Sequence, residues 1–212
     1  MGNDIVDLHA DKTAGKSSDS RFVKKVLTEA EKLCFDRAEP RDVYLWSLWA
    51  AKETAYKVLV KVHPGIASWP RSYEVTHGGP GLSKSGDAMV KTPLDSVQVI
   101  LFVNNDYIHC IGAMIGRFCP DMIIRGVVEI DPAGSKCTDL QQDSEVVRQA
   151  ATASIAACED VAKSDIEIRR ARSSRGLGPP IVYIRKRAAG IDLSLSHHGR
   201  FAAFAFSRKK KK

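Results

Sequence analysis

The chain reads as an α+β protein built twice: a pseudo-dimer of two similar α+β subdomains with the functional site at their interface. Three observations predict it. The segment "VQVILFVNNDYIHCIGAMI" (97–115) has the form of a β-hairpin turning at Asn105 and Asp106, and "IDLSLSHHGRFAAFAF" (191–206) has the same form. A shift of 93 residues lays "ILFVNNDYIHCIGA" (100–113) on "LSLSHHGRFAAFAF" (193–206), turn on turn, and also lays "SYEV" (72–75) on "DIEI" (165–168). Each half carries one long helical segment, at 42–62 and at 144–162. The expected division is 1–118, 119–206 and a basic tail 207–212, with the halves joined near 117–125.

Taken in order, "GNDIVDL" (2–8) is a strand. Alternation points Asp4 and Val6 one way and Ile5 and Asp7 the other, so one of the two acids faces inward. "ADKTAGKSSDS" (10–20) is a polar loop, and a short basic helix or turn follows in "RFVKKV". Thr28 and Glu31 form a T-x-x-E capping box, which starts a helix near Thr28. The 42–62 helix places Leu45, Leu48, Ala51, Ala55, Leu59 and Val62 on one side and Trp46, Trp49, Ala50 and Val60 on another. A helix apolar nearly all round is central and buried. Residues 78–93 read as a turn-rich loop, 125–131 and 165–170 as strands, and "RSSRGLGPP" (172–180) as a loop before the last hairpin.

With 212 residues, 44% of them apolar, the chain can bury one large core or two small ones. It has no apolar run of bilayer length and no basic-then-apolar leader, and Val6 breaks the myristoylation pattern. The expectation is a cytoplasmic protein. Five cysteines without a CxxC pair point to reduced thiols rather than a disulfide frame or a zinc site. The net charge of +7, part of it in "SRKKKK", fits phosphate-rich ligands, an acidic protein or nucleic acid. Aromatic–basic interleaving and any nucleic-acid module are missing, so a nucleic-acid binder is the weakest of the three.

Glu53 falls within an apolar stripe of the long helix, with Lys57 one turn on. Either the two form an i,i+4 ion pair, or Glu53 meets Asp4 across the core and the two hard oxygens hold Mg²⁺, leaving its other positions to water and phosphate. Near the end of the chain Ser194, Ser196 and His198 share a strand face and His197 begins the turn. These residues and Arg200 can hold phosphate oxygens, or they can be ordinary turn residues. The first hairpin has Leu101, Val103, Asn104 and Asn105 at the aligned positions. Conversely, Val128 stands where Asp4 would fall, and the second helix has no Lys-Glu pair. Each half keeps what the other lost, as expected when a two-site dimer becomes one composite site.

"GNDIVDL", "RFVKKVLTEAE", "WAAKETAYK" and "SLSHHGRFAAFAF" together resemble the motif set of the 4′-phosphopantetheinyl transferase superfamily, which includes holo-(acyl-carrier-protein) synthase. The motif order is that of the short trimeric members, and the length is that of the longer monomeric ones. The resemblance implies Mg²⁺-dependent transfer of the phosphopantetheine arm of coenzyme A to a serine of an acidic apo carrier protein, releasing adenosine 3′,5′-bisphosphate. Asp4 and Glu53 match the family's metal ligands, and Val6 stands where longer members carry a third acid. Glu53 matches the group that accepts the serine proton, directly or through water, and Lys57 the lysine that protonates or neutralises the leaving phosphate. Ser194, Ser196 and His197 match the nucleotide contacts, and Arg21, Phe22 and Lys25 the helix that docks the carrier. The family's Gly-Lys-Pro is Gly178-Pro179-Pro180 here, so its lysine is missing, and Arg185, Lys186 and Arg187 are the candidates to replace it. A catalytically silent paralogue that binds coenzyme A or a carrier protein is the other reading of these motifs.

Overall fold

A computed structural model describes residues 1–77, 82–116, 119–130, 140–173 and 176–208. In the first half β1 (Gly2–Asp7) is followed by α1 (Ser20–Val26), α2 (Glu29–Phe35) and α3 (Arg41–Val60). Four strands complete it: β2 (Glu74–His77), β3 (Gly86–Lys91), β4 (Ser96–Val103) and β5 (Tyr107–Met114). The second half has β6 (Ile124–Glu129), α4 (Leu140–Glu159), β7 (Ile166–Ser173), β8 (Gly176–Ile184), β9 (Arg187–His198) and β10 (Phe201–Arg208). Parts of the expected 78–93 loop, of the 117–125 junction and of the basic tail lie outside the described residues.

The two sheets have the same topology, β1-β5-β4-β3-β2 and β6-β10-β9-β8-β7, with antiparallel neighbours throughout. Two similar subdomains are therefore present. Hydrogen-bond register also corrects one alignment. Asp4 pairs with Cys110, whose counterpart 93 residues on is Ala203, and Ala203 pairs with Val127. Val127, not Val128, occupies the place of Asp4.

Two segments expected to be loops are strands. Residues 86–91 form β3, where Ala88 and Val90 are buried and their neighbours are not. The signal was an alternation masked by flanking Gly and Ser. "GLGPP" forms the start of β8. Pro180 pairs with Arg170 of β7, while the pairing of β8 with β9 begins at Ile181. The prolines thus sit where β8 has only one neighbour, and a missing N–H costs no ladder bond on the open side.

Layering follows from the two faces of each sheet. α3 covers the outer face of the first sheet in a core that includes Leu45, Leu48, Ala55, Leu59, Val99 and Ile108. α4 covers the outer face of the second through Val147, Ala151 and Ile155 against Leu193, Leu195 and Phe204. The inner faces pack on each other, with Ile5 against Phe201 and Ala203, and Ile111 and Ala113 against Ala205. β1 is buried from both sides.

A polar cluster lies in this otherwise apolar seam. Asn3 donates its backbone N–H to Ser194 Oγ (2.9 Å) and its side-chain amide to Ser196 Oγ (3.0 Å) and His109 Nε2 (3.3 Å). His109 is fully buried, and burial, with Arg125 and Lys57 adding repulsion, pushes its pKa down to about 3. The unfolded chain takes up the proton near pH ~6.5. Between these values the unfolded state binds more protons, so stability falls as pH drops, by ~1.4 kcal/mol per pH unit. His109→Gln, which keeps an acceptor for Asn3, is expected to flatten this acid limb in urea melts run from pH 7 to pH 4. An unchanged limb would remove His109 as its source.

Candidate active site

β1 pairs only with β5, so its other edge is open, and side chains from both halves close it. Lys61 Nζ donates to Met1 O (2.7 Å) and Lys57 Nζ to Asn3 O (3.0 Å). Asn3 N donates to Ser194 Oγ, as above, and Asp7 N to His198 Nδ1 (3.0 Å). Gly2 lets α3 come this close, because a Cβ there would stand 2.4 Å from Thr54 O.

The α3 face of β1 carries Asp4. Lys57 Nζ reaches Asp4 Oδ1 at 2.7 Å, so Lys57 pairs with Asp4 and not with Glu53 in an i,i+4 bridge. Glu53 accepts from Ser68 Oγ at 3.3 Å. Its carboxyl pKa is raised, first by burial and then by the charge of Asp4, with Lys57 opposing. Two acids held close enough to repel, beside one lysine, are a donor set that a hard divalent cation fits. Among the described residues no cluster of three or more His, Cys, Asp or Glu is present. On the helix Glu53, Lys57 and Lys61 form one row, and Lys61 also reaches Asp192 Oδ1 (2.6 Å) and Leu193 O (2.7 Å) of β9. Lys61 escaped sequence reading because a lysine at a helix end usually faces water.

Asp7 takes the opposite face, as alternation predicts, and is almost completely buried. It accepts from Arg200 N (2.9 Å), Nε (3.0 Å) and Nη2 (2.9 Å), and from His9 N (2.9 Å). Burial alone would raise its pKa, but these bonds hold it at about 2. Arg200, expected on phosphate, thus binds Asp7 through its backbone N, Nε and Nη2.

Ser194 and Ser196 accept hydrogen bonds from Asn3 in the seam. His197 is exposed and alternates onto the face shared with Leu193 and Leu195, which pack under α4. His198 is the imidazole on the β1 side, with its ring 6.4 Å from Trp46. The structure thus brings together Asp4, Glu53 and Lys57, and turns His198 rather than His197 toward β1. Arg187 lies seven residues from Ser194 along β9, about 23 Å at ~3.3 Å per residue, and Arg185 is paired with Asp165.

Arg21 and Lys25 are exposed and line a groove with Lys24, Trp69 and Arg71. Ser68, the partner of Glu53, lines the same groove. Phe22 instead packs on Trp46 and Trp49, with ring centroids 5.4 and 5.7 Å away. The scaffold beneath is a buried ion pair that the sequence reading missed. Lys52 Nζ donates to Glu31 Oε2 (2.6 Å) and Val26 O (2.7 Å), while Glu31 Oε1 accepts from Val75 N (2.8 Å).

Residues 1–103 match the family model described as the 4′-phosphopantetheinyl transferase superfamily. No curated protein matches the chain. Among solved structures, the chain is similar to the Thermotoga maritima holo-[acyl-carrier-protein] synthase at 14% identity and a TM-score of 0.39, over 88% of this chain and 83% of that one.

Gly199 is the hinge of the Asp7 latch. Its φ is +56°, and a Cβ would stand 2.4 Å from Asp7 Oδ2. Gly190 has a similar φ of +64° with nothing within 4 Å. Gly190→Ala therefore measures backbone strain alone, about 1 kcal/mol. Gly199→Ala adds displacement of a buried carboxylate and should cost roughly 2–4 kcal/mol. Thermal melts should show the second variant losing at least twice as many degrees as the first. Equal losses would mean that Asp7 does not need this contact.

Proposed function

From the match of residues 1–103 to the model of the 4′-phosphopantetheinyl transferase superfamily, we propose that this chain moves the 4′-phosphopantetheine arm of coenzyme A onto a serine of an apo carrier protein. The observation that carries the reading is the meeting of Asp4, Glu53 and Lys57 on one face of β1. The serine oxygen attacks the phosphorus that bears the pantetheine arm, and the bond to adenosine 3′,5′-bisphosphate breaks. Asp4 and Glu53 are the residues that would hold Mg²⁺, whose chemistry is to neutralise charge on the pyrophosphate oxygens. Glu53, with its raised pKa, is suited to take the serine proton. Lys57 sits where it can neutralise the leaving phosphate.

His198 has a defined proton. Because Nδ1 accepts from Asp7 N–H, the hydrogen of the neutral ring resides on Nε2, a donor for a phosphate oxygen. In this reading His198 takes the role that motif matching gave to His197. The basic groove of Arg21, Lys24, Lys25 and Arg71 receives an acidic carrier, and its continuity with Ser68 leads the carrier serine toward Glu53. The two halves supply within one chain what a two-site dimer would share, which favours an active cytoplasmic monomer. A silent paralogue would have no reason to keep this acid–acid–lysine set.

The direct test is incubation with coenzyme A, Mg²⁺ and several apo carrier proteins, scoring each carrier by mass for the added arm. Asp4→Ala and Glu53→Ala should each abolish transfer while the circular dichroism spectrum stays intact. His198→Ala should reduce kcat/KM at least tenfold more than His197→Ala, and the reverse order would restore the motif assignment. For the carrier surface, Arg21→Glu should raise the carrier KM and leave the coenzyme A KM nearly unchanged. That difference should shrink as salt is added, because rim charges are screened. Selective weakening of coenzyme A instead would move this helix into the nucleotide site.

A further inference from the structure

The two halves differ most beside their long helices. In the first, residues 8–40 separate β1 from α3 and supply α1 and α2, and α2 lies beside α3 and reaches the far-edge strand β2 through Glu31. Glu31 bridges Lys52 of α3 and Val75 of β2. In the second half only residues 130–139 separate β6 from α4, and no described element fills the matching cleft between α4 and the edge strand β7.

That cleft is lined by Arg148, Gln149, Thr152 and Lys163 over a floor of Ile166 and Ile168. Arg170 alternates onto the same face of β7 as Ile166 and Ile168. The Nε atoms of Arg148 and Arg170 are both buried with no hydrogen-bond partner, and among the described residues neither guanidinium has a carboxylate. Burial, and then the charge of Arg148, hold the Arg170 pKa below its usual value, so the two cations lie close enough to repel. Two acids also line the cleft: Glu167 pairs with Arg169, and Glu145 accepts from the Gln149 amide. Planar guanidinium groups in such a place match carboxylates in pairs.

We infer that the α4–β7 cleft docks an acidic amphipathic segment of a partner polypeptide, which presents carboxylates to Arg148 and Arg170 and apolar side chains to Ile166 and Ile168. The first half shows the arrangement already completed, with α2 as the segment and Glu31 as the acid. An apolar floor beside the arginines favours such a segment over a free phosphate.

The test uses the full chain and a fluorescent helical peptide with glutamates on one face and leucines on the other. Saturable binding is expected, weakening with salt and weakening at least tenfold when the glutamates become glutamines. Arg148→Gln and Arg170→Gln should each weaken it at least tenfold, with transferase activity and thermal midpoint kept or raised, since a like charge is removed. Arg41→Gln, exposed at the start of α3 in the first half, should bind as the parent does. Failure of the peptide to saturate, equal binding by the Arg148 and Arg170 variants, or displacement by inorganic phosphate at the same concentration as the peptide would each overturn the inference. Lowered midpoints in both variants would also overturn it, by showing that the arginines hold the fold.

Discussion

Everything in this molecule depends on satisfying β1 in three directions at once. One face must pack under α3, the other must pack on the second sheet, and the unpaired edge must still find partners for its peptide groups. An edge strand in water solves the third problem by solvation. Buried here, it needs donors and acceptors from elsewhere, and an unmet one costs about 1–3 kcal/mol. Lys57 and Lys61 come from the helix and Ser194 and His198 from the second sheet. The same demands that fix the strand therefore fix the reactive side chains.

The buried Lys52–Glu31 pair is the matching constraint on the other side of α3. Lys52 is held between Val26 O and a carboxylate that also caps α2 and bonds Val75 N of β2. Its value is positional: such pairs often add little net stability, whereas removing one partner costs about 3–5 kcal/mol. It ties α1, α2, α3 and β2 together, and this fixes the base of the groove that carries Arg21 and Lys25.

Much of this was legible in the sequence because periodicity survives translation into structure. The duplicated hairpins, the capping box at Thr28 and the opposite facing of Asp4 and Asp7 all rest on local spacing. What was not legible rests on long-range register. Whether His197 or His198 faces β1 depends on one residue of strand phase, and a turn beginning at Gly199 sets that phase. Val127 rather than Val128 at the place of Asp4 is the same kind of slip. Arg200 looked like a phosphate ligand because its carboxylate partner lies at the other end of the chain. β3 and the start of β8 were hidden by Gly, Ser and Pro, whose usual meaning is overridden when an edge position tolerates them.

The seam through β1 also orders events in time. β1 leaves the ribosome well before β5, its only sheet partner, and before β9 and β10, which cover its inner face. Asp4, α3 and β5 all belong to the first half, so the face of β1 that carries the acid pair needs only that half, whereas its inner face waits for β10. Contacts of such sequence separation form slowly, because a long loop must close before they are rewarded. A chain that ends before β10 would therefore leave Ile5, on the inner face of β1, without its cover.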